Sequence, residues 1–193
     1  MKAVCVFCGS QAGRHGAYLA AAREMARVLA TSGIDLVYGG GHVGLMGAIA
    51  DEALASGGRV IGVIPQHLLR PELAHSALTE LLVVDSMHTR KRTMATRSDA
   101  FVVLPGGFGT LDEMFEMLTW RQLQLQAKPV GLVNVDGYFD SLLDFLTHAV
   151  DEGLISREHL ELLLVDTTPQ RLLARLTSHF QEPPTPSSAD DLR

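Results

Sequence analysis

Cysteine and lysine are scarce in this chain of 193 residues, and long apolar runs are missing; each shortage removes a class of protein. Two cysteines, Cys5 and Cys8, cannot build the disulfide framework of a small secreted scaffold. They cannot complete a four-ligand zinc site either. No second pair exists, and the eight histidines are scattered without an H-E-x-x-H cluster. A redox C-x-x-C pair opens a helix. Cys5 and Cys8 instead fall on a strand-like apolar run, where residues three apart point to opposite faces. Both are read as buried small apolar side chains. Basic residues are outnumbered 16 to 22 by acidic ones, a net charge of −6. That balance argues against a nucleic-acid duplex as partner, which asks for a basic face. No stretch reaches the ~20 apolar residues of a membrane span. Met1-Lys2 leads into a short strand pattern rather than a secretory signal, so the expected location is the cytoplasm, without a membrane partner.

What the chain does have is a repeated strand–loop–helix pattern. Apolar runs at 3–7, 35–38, 59–64, 81–84, 101–104 and 130–135 read as strands, with a short last one at 162–165. Helical periodicity covers 18–30, 45–55, 88–96, 110–125, 138–150 and 169–180. The alternation predicts an α/β fold, a doubly wound, mainly parallel, Rossmann-like sheet with helices on both faces. Residues 1–181 are expected to form a single nucleotide-binding domain; 182–193, rich in Pro, Ser and Asp, read as a disordered tail. In such sheets ligands bind beyond the carboxyl ends of the strands. Gly9-Ser10, Gly39-Gly40-Gly41, Pro65 and Pro105-Gly106-Gly107 all fall at those ends, so four loops are predicted to open on one rim.

The most informative loop is Leu104-Pro105-Gly106-Gly107-Phe108-Gly109-Thr110-Leu111-Asp112-Glu113. Its glycines let bare N–H groups approach a ligand, and the following helix N-terminus adds roughly half a positive charge. Gly106, Gly107, Gly109 and Thr110 are therefore candidates to cradle a phosphate, with Thr110 as helix cap. Asp112 and Glu113 come next. Acids early in a helix are commonly just dipole partners, but beside a phosphate cradle they suggest chemistry on a sugar phosphate. A second segment, Met87-His88-Thr89-Arg90-Lys91-Arg92, is a basic cluster in an acidic chain. Positive charge at a helix start works against the dipole, and an anionic ligand would explain it. The alternative is a solvated surface turn. A third segment, 39–44, contains G-x-G-x-x-G, but it follows the second strand and no acid ends the next one, so a dinucleotide site is disfavoured.

Together these segments resemble the Lonely Guy (LOG) family of cytokinin riboside 5′-monophosphate phosphoribohydrolases. Pro105-Gly106-Gly107-x-Gly109-Thr110-x-x-Glu113 is similar to the family's PGGxGTxxE signature. Met87-His88-x-Arg90-Lys91 and Gly39-Gly40-Gly41-x-x-Gly44-Leu45-Met46-Gly47 match two further hallmarks, in order and spacing. The resemblance runs from about residue 4 to about 155. It implies an N-glycosidase that splits N6-substituted adenosine 5′-monophosphates, with AMP itself as a candidate, into free base and ribose 5-phosphate. No cofactor and no metal are implied. Arg90 and Glu113 match the catalytic positions, and Arg90 with Lys91 the substrate-binding pair. Glu72 and Thr119 match further nucleotide contacts, and Phe108, Leu111 and Asp112 complete the loop's contact set. Ser10, Gly40, Gly41, Gly44 and Met46 are candidates for shaping the substrate pocket. The chemistry agrees, because breaking an N-glycosidic bond develops oxocarbenium character that a nearby carboxylate offsets.

The expected partner is thus a purine nucleoside monophosphate. A homodimer is expected as well, because helix 110–125 carries Met114, Phe115, Met117, Leu118, Trp120, Leu123 and Leu125 and leaves little polar face. Two other readings stand beside the hydrolase. One is a nucleotide-binding sensor or carrier of the same fold without turnover. The other follows the label lysine decarboxylase often given to such proteins. That chemistry uses a lysine-bound pyridoxal phosphate, and of Lys2, Lys91 and Lys128 only Lys91 lies near the expected site.

Overall fold

A computed structural model describes residues 1–70 and 73–181. The tail expected at 182–193 and the candidate Glu72 lie outside the described residues. Seven strands run in one parallel sheet: β1 (Ala3–Phe7), β2 (Asp35–Tyr38), β3 (Val60–Pro65), β4 (Glu80–Val84), β5 (Ala100–Val103), β6 (Val130–Val133) and β7 (Leu163–Asp166). Their order is β4-β3-β2-β1-β5-β6-β7. The chain winds outward from β1 in one direction and then returns to its other side, which makes the sheet doubly wound with a switch point between β1 and β5.

β1 shows why the sheet needs cover on both faces. All five of its residues are buried. Val4 and Val6 join an apolar cluster with α1 (Gly16–Thr31), α2 (Gly44–Ala55) and α7 (Pro169–Gln181). Ala3, Cys5 and Phe7 join the opposite cluster with α3 (Met87–Thr96), α4 (Phe108–Gln122) and α5 (Asp140–Asp151). Cys8 falls in the first cluster and Cys5 in the second, so the two thiols are separated by the sheet, as their spacing predicts. Burial pushes the pKa of both upward, and Glu113 nearby adds to it, so neither is available as a thiolate.

Several boundaries differ from the sequence reading. α4 begins at Phe108, with Gly107 as its N-cap, rather than at Thr110. Thr110 is the third residue of the helix, inside its first turn and buried, so it does not occupy the cap position. Asp112 and Glu113 therefore sit in the second turn, where the dipole is weaker. α4 ends at Gln122, and Leu123 and Leu125 lie beyond it. β6 ends at Val133 and gives way to a 3₁₀ turn, Val135–Gly137. A short helix, α6 (Arg157–Glu161), was not expected; Ser156 caps it by accepting from the His159 N–H at 3.1 Å.

The carboxyl-end loops are tied to one another. Gly9 donates its N–H to the Pro105 carbonyl at 3.0 Å, and its own carbonyl accepts from Leu45 and Met46 at 3.1 and 3.3 Å. Gly44 is required here: its φ is +62°, and a Cβ would stand 2.3 Å from the Ser10 carbonyl carbon. The rim is thus assembled from the ends of β1, β2, β3 and β5.

Candidate active site

At the middle of this rim Arg90, from the first turn of α3, reaches across the ends of β2 and β3. Its Nε donates to the Val63 carbonyl at 3.0 Å and its Nη2 to the Gly39 carbonyl at 3.1 Å. The approach is close enough that a Cβ on Gly39 would lie 2.0 Å from Nη2. So at least this part of the Gly39-Gly40-Gly41 run is explained by an arginine passing over it rather than by a dinucleotide. With two nitrogens held by backbone, Nη1 stands 3.7 Å from Glu113 Oε1. Both side chains are nearly buried, 12% and 11% exposed, so the pair lies at the floor of the rim and not on the surface.

Glu113 is the most perturbed carboxylate of the site. Burial pushes its pKa up to about 7; the Arg90 charge opposes this and Asp112 reinforces it. A carboxyl poised there exchanges protons at neutral pH, which is what general acid–base work requires. Asp112 is adjacent but diverges: its side chain is 61% exposed and pairs with Lys91 Nζ at 3.1 Å. Lys91 also pairs with Glu116 at 3.0 Å. Beside these groups the loop Gly106, Gly107, Phe108 and Gly109 runs into α4. Phe108 itself is 94% exposed, its ring standing out from the loop. Leu111 begins the intrahelical bonding, donating to the Gly107 carbonyl at 3.1 Å.

Met46 lies over the β2 loop, its Sδ within reach of Gly39 and Gly41, while Gly40 accepts from the His75 N–H at 3.0 Å. Ser10 sits against Gly44. These residues and the loop share the rim with Arg90 and Glu113. Thr119 does not: it lines a groove of about 220 Å³ between α4, α5 and α6, together with Phe115, Leu118, Leu146 and Leu160. Among the described residues no cluster of His, Cys, Asp and Glu could hold a metal ion, and no helix is long and apolar enough to cross a membrane.

The family profile described as "possible lysine decarboxylase" matches residues 46–176. A protein of Oryza sativa subsp. japonica named as a probable cytokinin riboside 5′-monophosphate phosphoribohydrolase is 48% identical over 94% of this chain and 74% of its own. A cytokinin riboside 5′-monophosphate phosphoribohydrolase of Arabidopsis thaliana is 47% identical over 92% of this chain and 83% of its own. The chain belongs to the Lonely Guy family. Solved structures with the same fold include a molybdenum cofactor carrier protein from Chlamydomonas reinhardtii, with a TM-score of 0.71 and 24% identity over 94% of this chain and 99% of that one. A molybdenum cofactor binding protein from Rippkaea orientalis superposes with a TM-score of 0.69 at 21% identity, over 92% and 97%. At these identities the likeness is one of fold.

In this Lonely Guy protein the lysines do not suit the decarboxylase chemistry of the profile's description. A Schiff-base lysine must lose its proton. Burial acts on Lys91 in that direction, but its bonds to Glu116 and Asp112 outweigh it and raise the pKa overall. Lys128 spends its Nζ on the Ala95 carbonyl at 2.6 Å, away from the rim. Two contacts at the site were not expected from sequence. Glu116 shares Lys91 with Asp112, and the Tyr138 hydroxyl donates to the Gly106 carbonyl at 2.8 Å. Glu116 could have been found one helical turn from Asp112, on the same face. Tyr138 carried only a positional hint, since it follows the carboxyl end of a strand.

Proposed function

We propose that this protein hydrolyses the N-glycosidic bond of N6-substituted adenosine 5′-monophosphates, releasing the free base and ribose 5-phosphate. The observation that carries this reading is the Arg90–Glu113 pair, nearly buried beneath the glycine loop, with the Glu113 pKa raised to about 7. Gly106, Gly107, Phe108, Gly109 and Thr110 hold the 5′-phosphate through backbone N–H groups and the Thr110 hydroxyl. Glu113 in its ionised form faces the ribose, offsets the developing oxocarbenium charge and orients the water that attacks C1′. Arg90 holds the nucleotide and restrains the carboxylate. Lys91 and Asp112 line the approach. The relatives named as cytokinin riboside 5′-monophosphate phosphoribohydrolases support this substrate class.

A second copy of the chain is the proposed cover for the groove that Thr119 lines. Its apolar wall and the exposed Phe115 support this. The test of function is base release. The protein is incubated with AMP, with an N6-prenylated AMP and with the matching nucleosides, and free base is measured. Release from the monophosphates alone is the expected result. Tight nucleotide binding with no free base from any of them would instead favour a carrier.

A further inference from the structure

The Tyr138 hydroxyl is the only side-chain group among the described residues that bonds to the carbonyls of Pro105, Gly106 or Gly107. Its position is built with care. The turn before it, Val135–Gly137, holds two successive residues in the left-handed region, Asp136 at φ 49° and Gly137 at φ 71°. A side chain seldom accepts that conformation without a compensating contact. Asn134 braces the turn: its Oδ1 accepts from the Phe139 N–H at 2.8 Å and its Nδ2 donates to Asp140 at 2.7 Å. The Tyr138 ring is then wedged edge-on between Tyr18, at 5.3 Å, and Phe139, at 4.7 Å. The outcome is a hydroxyl aimed across from the β6 loop to the β5 loop.

The consequence follows from the planarity of the peptide unit. In a trans peptide the C=O of one residue and the N–H of the next point in opposite directions. Fixing the Gly106 carbonyl toward Tyr138 therefore fixes the Gly107 N–H away from it. The preceding unit is fixed in the same manner, since the Pro105 carbonyl accepts from Gly9 and so directs the Gly106 N–H. Two successive amides of a glycine-rich segment, which would otherwise rotate freely, are thereby oriented from behind. Neither N–H has an acceptor among the described residues.

We propose that Tyr138 is a positioning residue of the phosphate cradle, holding the Gly106–Gly107 peptide so that the Gly107 N–H meets the 5′-phosphate of the bound nucleotide. The proposal rests on the reading of Pro105 to Thr110 as that cradle. It makes Tyr138 act on binding of the phosphate and not on cleavage, because its hydroxyl bonds the loop backbone while Arg90 and Glu113 are held by Val63, Gly39 and each other.

Tyr138→Phe tests it, since the ring contacts to Tyr18 and Phe139 stay and only the hydroxyl goes. The expected result is a rise of about 3- to 10-fold in KM for the nucleoside 5′-monophosphate, the range set by losing one hydrogen bond, with kcat nearly unchanged. Inhibition by inorganic phosphate should weaken by the same factor, and the melting temperature should stay where it is. A variant with wild-type KM and wild-type phosphate inhibition overturns the proposal. So does a loss confined to kcat, or one that tracks a lowered melting temperature. The cradle reading is tested separately on the wild-type protein, by comparing AMP with adenosine. Equal turnover of the two, with no inhibition by phosphate, removes the cradle itself and the proposal with it.

Discussion

Glu113 combines burial with a partly compensating arginine, and both its reactivity and its cost follow. Its folded pKa of about 7 exceeds the usual 4.5, so the folded chain binds this proton more tightly than the unfolded one. The contribution to stability is full below about 4.5 and is lost as pH rises through 7. Glu113→Gln should remove that slope. Denaturant titrations at pH 5 and pH 8 would differ less for the variant than for the wild type. Turnover should fall by about 100-fold or more, as expected on losing a positioned charge. Since the ionised form is the working one, kcat/KM of the wild type should rise with pH through about 7. Asp112→Asn removes the same charge one residue away, from an exposed side chain that raises the Glu113 pKa. It should keep most of the turnover and move the acidic limb of the pH profile to lower pH. Near wild-type base release from Glu113→Gln would take that residue out of the chemistry. Arg90→Ala should abolish turnover and weaken nucleotide binding together.

The elements that carry these residues were legible to different degrees. Strand–helix alternation and glycine-rich strand ends were enough to expect the parallel sheet and the shared rim, because both follow from local periodicity and turn chemistry. The sequence pattern puts the start of α4 two residues too late. Thr110 is the better capping residue by preference, but it is buried under the loop and Gly107 takes the cap instead. α6 is too short, at five residues, to show periodicity. Arg90 and Glu113 could be nominated from motifs, whereas the Arg90 bonds to Val63 and Gly39 depend on β2 and β3 lying side by side. The reach of Tyr138 to Gly106 likewise needs β6 beside β5, and strand order is set by tertiary packing. The mutual locking of loops has its own test. Gly44→Ala would force a Cβ against the Ser10 carbonyl at φ +62°. It should cost about 1–3 kcal/mol in a denaturant melt and lower turnover by displacing the β1 loop. An unchanged midpoint would mean that the two loops are not coupled.

For the whole molecule the apolar groove between α4, α5 and α6 sets the first expectation. Phe115 at its edge is 37% exposed, and Leu125 beyond the helix is 70% exposed, in a chain that otherwise covers both faces of its sheet. Light scattering should report twice the 20.9 kDa of one chain at micromolar concentration, and Phe115→Glu should shift the mass toward the single chain. A wild-type monomer under those conditions would refute the proposed second copy. The position of β1 bears on time as well as space. This first strand is flanked by β2 and by β5, whose paired residues lie nearly a hundred positions further along. As the chain emerges during synthesis, β1 to β4 can come together while one flank of β1 stays open, waiting for β5. Arg90 precedes that closure in the chain and Glu113 follows it, so no intermediate in which that flank is still open contains the pair. Base release during refolding should therefore return no earlier than the structural phase that seats β5 against β1, and activity that appears ahead of that phase would show that the site forms before this flank closes.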